Sequence, residues 1–216
     1  IHLVKYYGAK LYYADTAVMK NGYVEFDGSK QEPGILGVLF PGQKFFEFVY
    51  NKEEIQIETS FPDFVNTMKV KKSEENKIFL EYILFIQDKK GESQKYVDQQ
   101  RAMKAVHPQY KILGNKIDSL NKLVTDYQKT LYKNHPTKLI GKIVRMSTDI
   151  DIPEPPKDDK GNVIDSFFRF KYFRAHYWDN VDLKDDRLVN TPIYHNKLDY
   201  YFGKNMLIQH WDTIIE

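Results

Sequence analysis

Hydrophobic and polar positions change their period near residue 70. Before it, short runs alternate with a period of two and end in Gly, Pro or Asn turns. After it, apolar positions recur three and four apart over long stretches with little glycine. In the first part, residues 11–19 are rich in Tyr, Thr and Val, and Asn21-Gly22 separates them from Tyr23, Val24, Glu25 and Phe26. An Asn-Gly pair between two such runs predicts a hairpin, because both central residues of a type I′ turn take positive φ. Glu32-Pro33-Gly34 marks the next turn, residues 35–40 the next strand, and Pro41-Gly42 a turn before a strand over 45–49. Over residues 55–59 the alternation puts Ile55 and Ile57 on one face. Short strands at this spacing predict an antiparallel β-sandwich or half-barrel.

The second part reads as helices. Ser73 is a candidate cap for the first, over residues 76–86, where Ile78, Phe79, Tyr82, Ile83 and Ile86 mark one face. A second is predicted over 92–106, stopping at His107-Pro108. In the third, Leu113, Ile117, Leu120, Val124, Tyr127 and Leu131 are spaced 4, 3, 4, 3, 4. That is the seam of a helix packed inside a bundle, too short for a dimerising coiled coil. His135-Pro136 ends it, and residues 137–146 form the next helix. Pro153, Pro155, Pro156 and Gly161 make 149–162 an exposed, semi-rigid loop, with helix again over 163–177. A polar turn over 179–187 leads to Thr191-Pro192, an N-cap and N1 pair for a helix through Tyr201. A new helix is expected to begin at Trp211. The fold class is therefore α+β: an antiparallel β-domain over residues 1–70, then an α-helical bundle over 73–216.

Composition narrows the chemistry. Lys and Arg number 32 against 30 for Asp and Glu, a net charge of +2 that is too small to point to nucleic acid or an anionic membrane. With no cysteine among 216 residues, a disulfide scaffold, a zinc ribbon and an internal redox pair are excluded. No apolar run approaches the roughly 20 residues that span a bilayer. The chain opens on Ile1 without an initiator Met, so a processed or truncated N-terminus is expected.

Four groups of residues are candidates for function. His176, Asp179, Asp182 and His195 offer metal-ligand atoms but no i, i+4 histidine pair. Asp149, Asp151, Glu154, Asp158 and Asp159 offer calcium ligands, yet Asp158-Asp159-Lys160-Gly161-Asn162 lacks a distal bidentate Glu and reads as a turn. Ser73, Ser119, Ser147 and Ser166 have no nucleophile elbow around them. No cofactor or metal is expected, and no catalytic residue is assigned. The fourth group is the aromatic and basic run from Phe167 to Trp178. On a helix, Phe168, Tyr172 and either Ala175 or His176 share one face, while Phe170, Phe173 and Tyr177 share another. Core packing is the first reading of such stripes, with Phe173 inside and Arg174 and Tyr177 nearer the surface. The alternative is a partner-binding surface for extended peptide, carried by Tyr172, Arg174, His176, Tyr177 and Trp178.

Tyr6-Tyr7-Gly8-Ala9-Lys10, Asp15-Thr16-Ala17, Phe46-Glu47-Phe48, residues 34–40 and Asn66-Thr67-Met68-Lys69-Val70 resemble the N-terminal β-domain that precedes thioredoxin-like domains in Bacteroidetes envelope proteins. Residues 168–177, Asn180-Val181-Asp182-Leu183, Asp186-Arg187-Leu188 and the run from Thr191 to Tyr201 resemble the helical domain of unknown function that follows it. The resemblance implies the front of a longer protein, with a further strand before Ile1 and a Trp-Cys-x-x-Cys thioredoxin fold after Glu216. It implies a non-catalytic accessory region of a thiol–disulfide oxidoreductase that serves redox homeostasis on the periplasmic side of the cell envelope, behind a signal peptide or lipoprotein anchor upstream. The implied partners are that thioredoxin-like domain and protein or peptide substrates. The alternative is a stand-alone structural module, or one that binds peptide or glycan.

Overall fold

The computed structural model describes residues 1–8, 10–203 and 206. β1 (His2–Tyr7) and β2 (Lys10–Thr16) form a hairpin that turns at Gly8, where φ is 64°. β3 (Gly34–Phe40) and β4 (Lys44–Tyr50) complete an antiparallel sheet in the order β2-β1-β3-β4. β5 (Gln56–Glu58) and β6 (Lys69–Lys72) pair separately as a two-stranded ribbon.

Alternation sorts the sheet into two faces. Leu3, Leu36, Val38, Phe46, Phe48 and Tyr50 form one core with Phe64 and Met68, covered by Ile55, Ile57 and Val70 from the ribbon. On the other face Ile35 and Val49, with Tyr6 beside them, pack against the helices. The β part is thus one sheet with a ribbon over one face and helices over the other, within the expected α+β class.

Pairing departs from the predicted hairpin. Asn21 and Gly22 take φ values of 52° and 82°, as the turn requires, but only a bridge between Lys20 and Tyr23 flanks it. Residues 23–26 form no strand, and β2 pairs with β1 instead. Burial decides this: β1 places Leu3 and Val4 at 3% and 1% exposure, whereas Val18 and Tyr23 remain in solvent.

The helices are α1 (Glu74–Arg101), α2 (Pro108–Asn134), α3 (Leu139–Met146), α4 (Phe168–His176) and α5 (Pro192–Phe202), with a 3₁₀ turn at Asp186–Asn190 before α5. α1 runs through the break expected between 86 and 92. A lone Gly91 costs a helix only about 1 kcal/mol, and α1 is held along α2 by stacking of Phe85 on Tyr127 (4.1 Å) and by Gln100 donating to Tyr110 O (3.0 Å). In α2 the seam is as spaced: Leu113, Leu120 and Leu131 are buried. α3 is the centre of the core, with Leu139, Ile140, Ile143, Val144 and Met146 all at 3% exposure or less. α4 starts at Phe168 rather than 163, because Val163 bridges to Lys157 and the Asp165 carboxylate accepts from Phe167 N at 2.8 Å. The helix expected at Trp211 lies outside the described residues. Among those described, no helix is long and apolar enough to cross a membrane.

Sheet and helices meet at the start of α1, in a buried polar cluster. Ser73 accepts from Asn76 N (3.0 Å) as the N-cap and donates to Glu53 (2.5 Å). The Asn76 amide accepts from Val49 N (2.8 Å) and donates to Val49 O (2.7 Å), closing the β4 edge as a strand would. Glu75, 4% exposed, accepts from Leu139 N (2.9 Å) and Ile140 N (2.8 Å), the first amides of α3, and from Asn51 (3.0 Å). Arg187 donates to Asn51 (3.1 Å), extending the cluster to the 3₁₀ turn.

Candidate recognition surface

The aromatic run divides between two stripes. Phe168, Tyr172 and His176 form a ladder along α4, with ring centroids 5.9 and 4.1 Å apart. This is the i, i+4 geometry that puts side chains over one another on a helix. Phe173 continues into Tyr177 (5.5 Å, edge-on), and Tyr177 packs against Tyr200 (5.9 Å) and Tyr201 (5.2 Å) of α5. Trp178 meets Tyr201 at 5.4 Å and borders the central core. The Tyr177 hydroxyl donates to Lys197 O (3.2 Å), and the Lys197 ammonium sits 4.2 Å from the Tyr177 ring centre. Burial holds the Lys197 ammonium below its ordinary pKa and pushes the Tyr177 phenol up.

This reverses the expected order of burial. Tyr177, expected nearer the surface, is 5% exposed, while no residue of α4 itself is fully buried and Phe173 is half-buried. The helix is apolar on two sides, and among the described residues α5 covers one of them, through Tyr177 just past the helix end. Of the residues expected at a binding surface, Arg174 is exposed, Tyr172, His176 and Trp178 are half-buried, and Tyr177 is an anchor. His176 Nδ1 donates to Asp179 (2.7 Å). The outer side carries residues that the candidate set omitted: Phe167 at 67% and Phe170 at 45% exposure, with Ile164 at 67% just before them. Basic groups interleave with these rings. Arg169 lies 3.7 Å from Glu154, Lys171 lies 2.8 Å from Asp165, and Arg174 has no ion-pair partner among the described residues. Helical spacing groups Phe170 with Phe173 and Tyr177, and the sequence holds no local signal that leaves Phe170 exposed while Tyr177 is buried.

The polar candidates are spent on structure. His195 Nε2 donates to Val189 O (2.8 Å), tying α5 to the turn before it. Asp158 accepts from Lys160 N (3.0 Å) and Asn162 N (2.7 Å), making the tight turn its spacing predicted. Asp182 pairs with Lys142 (2.9 Å), which also reaches Asp185 (2.5 Å), and Arg187 meets Asp185 at 2.6 Å. The Arg187 guanidinium, joined by Lys142, holds the Asp185 carboxyl well below the usual carboxylate range. Asp185 and then Asp182 raise Lys142 above its ordinary value. Lys142 and Asp182 of this network line a cleft of about 410 Å³ with Tyr132, Lys133, Arg145 and Asn180. Of its cations, Lys142 is paired within the network, Arg145 donates to Asp179 O (3.0 Å), and Lys133 has no ion-pair partner among the described residues. Among the described residues, no three His, Asp or Glu converge in a metal-binding group.

Residues 1–79 match the family model of a domain of unknown function, DUF4369. The match runs past the last strand to include Ser73, Glu75 and Asn76, the residues that close the β4 edge and fasten it to α3. No curated protein and no solved structure matches the chain.

Proposed function

We propose that this chain is the recognition and positioning region of a larger thiol–disulfide oxidoreductase of the cell envelope. It acts on the periplasmic side, anchored by lipid through a segment outside this sequence, and a thioredoxin-like domain of the same polypeptide supplies the cysteines. The chain has none, and exchange through a mixed disulfide needs an attacking thiolate. Its contribution is effective concentration: a tethered surface that holds a substrate protein near the redox centre raises the local level of substrate without doing chemistry.

One observation carries the recognition half of this reading. α4 turns Phe167, Phe170 and Arg174 to solvent while Tyr177 pins its other side to α5. Exposed aromatics beside an arginine that has no ion-pair partner among the described residues are the residue types that dominate protein contacts, provided that they are held still. The ligand is an extended polypeptide segment bearing apolar and acidic side chains. Tyr172 and His176 border the contact, and Tyr177 and Trp178 support it from beneath. The test is fluorescence anisotropy with a labelled, reduced and unfolded polypeptide of that composition. Phe170→Ala with Arg174→Ala weakens binding at least tenfold, about 1.4 kcal/mol, with an unchanged melting temperature. Equal affinity in the double variant refutes the assignment of this surface.

A further inference from the structure

The four-stranded sheet has two edges, and among the described residues only one is closed. At β4 the Asn76 amide occupies both backbone groups of Val49. At β2, among the described residues, no strand lies outside the edge, and Leu11, Tyr12 and Tyr13 are 37%, 47% and 69% exposed. An unpaired strand is a template for another strand unless something blunts it.

The register says which groups are free. Tyr7 and Lys10 close a two-residue connection, and at the far end Ile1 and Ala17 exchange backbone hydrogen bonds of 3.1 and 3.0 Å. Opposed residues of an antiparallel pair alternate between hydrogen-bonded and not. Counting from the Tyr7–Lys10 pair, Lys10 and Tyr12 turn their backbone groups to β1, whereas Leu11 and Tyr13 turn theirs outward. The extra residue Ala14 then breaks the ladder, since Val4 faces Tyr13 and Leu3 faces Asp15. Beyond it, Thr16 N–H is already taken by the Asp15 carboxylate at 2.7 Å. The open edge is therefore one short stretch centred on Tyr12.

We propose that this stretch pairs with the same stretch of a second copy of the chain, about a two-fold axis through Tyr12. Leu11 of each copy then faces Tyr13 of the other, and these are the residues whose N–H and C=O point outward, so each pair exchanges backbone hydrogen bonds. Tyr12 faces Tyr12 at the axis, in the non-hydrogen-bonded position where side chains approach most closely. Lys10, Tyr12 and Asp15 lie opposite Tyr7, Lys5 and Leu3, which alternate onto a single face. On that face each Lys10 meets the bulge carrying the other copy's Asp15, so an ion pair flanks the tyrosines on either side. Moving the axis to Leu11 or to Tyr13 sets Lys10 against Tyr12 or Thr16 and loses the charge match. The bulge stops the pairing after these residues, so the contact closes on itself instead of growing.

Sedimentation equilibrium tests this. The mass of the wild-type chain rises from 25.6 kDa toward twice that value between micromolar and roughly millimolar concentration, and amide exchange slows at Leu11 and Tyr13. Lys10→Glu alone and Asp15→Lys alone stay near 25.6 kDa, and mixing the two restores the heavier species, because a mixed pair has opposite charges at both contacts. Leu11→Pro, which removes an outward N–H and leaves the ladder to β1 intact, also stays monomeric while its circular dichroism is unchanged. A wild-type mass fixed at 25.6 kDa up to millimolar concentration overturns the proposal, even if the edge takes up a foreign peptide. So does a dimer that Leu11→Pro leaves in place, or a mixture of the charge variants that stays monomeric.

Discussion

Glu75→Ala removes the acceptor that joins the two kinds of architecture. α3 has no side-chain cap of its own: Lys138 occupies the N-cap position without a capping bond. Its first amides, Leu139 N and Ile140 N, bond Glu75 at 2.9 and 2.8 Å, and both residues have 0% exposure. Without the carboxylate neither amide can turn to water, and the Asn51 amide loses a partner as well. Each buried, unsatisfied donor costs about 1–3 kcal/mol, so losing the partner of both amides destabilises Glu75→Ala by about 2–6 kcal/mol. That is a large part of the ~5–15 kcal/mol that holds a typical protein folded. Glu75→Gln keeps one oxygen and sets an NH₂ group against the other amide, which costs about 2–3 kcal/mol. Glu74→Ala, one residue earlier and exposed, changes stability by less than about 1 kcal/mol. Urea unfolding followed by circular dichroism gives the three values from midpoints and slopes. Hydrogen exchange at Leu139 and Ile140 accelerates in Glu75→Ala. A Glu75→Ala protein within 1 kcal/mol of wild type, roughly the cost of a surface change, refutes the reasoning.

Three further outcomes follow from the same contacts. Tyr177→Ala, at a 5% exposed anchor, lowers stability by about 3–5 kcal/mol, more than Phe173→Ala, while Phe170→Ala stays within about 0.5 kcal/mol; thermal melts rank them. The folded-state pKa of Asp185 is depressed, so the unfolded chain binds the extra proton, and the stability from its contacts with Arg187 and Lys142 is full above the ordinary value of 3.8 and is lost as pH falls below it. Asp185→Asn accordingly destabilises at neutral pH and flattens the acid limb of the melting-temperature profile. Gly141→Ala places a methyl group 1.9 Å from His135 O, a clash with backbone that forces the corner between α2 and α3 apart and costs at least about 1–3 kcal/mol in urea unfolding.

What the sequence revealed depends on how local its causes are. The Thr191-Pro192 start of α5, the Ser73 cap and the Asn21-Gly22 turn are each determined by a few neighbouring residues, and all three form. β1 was missed because Leu3 and Val4 are both buried, one on each face, so no alternation marks it. The single long α1 was missed because its middle is polar, and α2 holds it rather than an apolar stripe of its own. Glu75 reads as an ordinary first-turn acid, and its partner at Leu139 is 64 residues away. In α4 both aromatic stripes were visible, but only the position of α5 decides that Tyr177 lies inside and Phe170 outside. The polar motifs behind the helical resemblance, Asn180 to Leu183 and Asp186 to Leu188, prove to be scaffold: Asn180 bonds Thr148, Arg187 bonds Asp185 and Asn51, and Leu188 is 1% exposed.

The functional account stands on a division of labour, in which this chain recognises and a tethered cysteine pair reacts. Sequencing the reading frame past Glu216 tests that division most directly. The account predicts an in-frame continuation with Cys-x-x-Cys between a β-strand and a helix. A stop codon at that point, or a continuation without paired cysteines, contradicts it and leaves a structural or ligand-binding module.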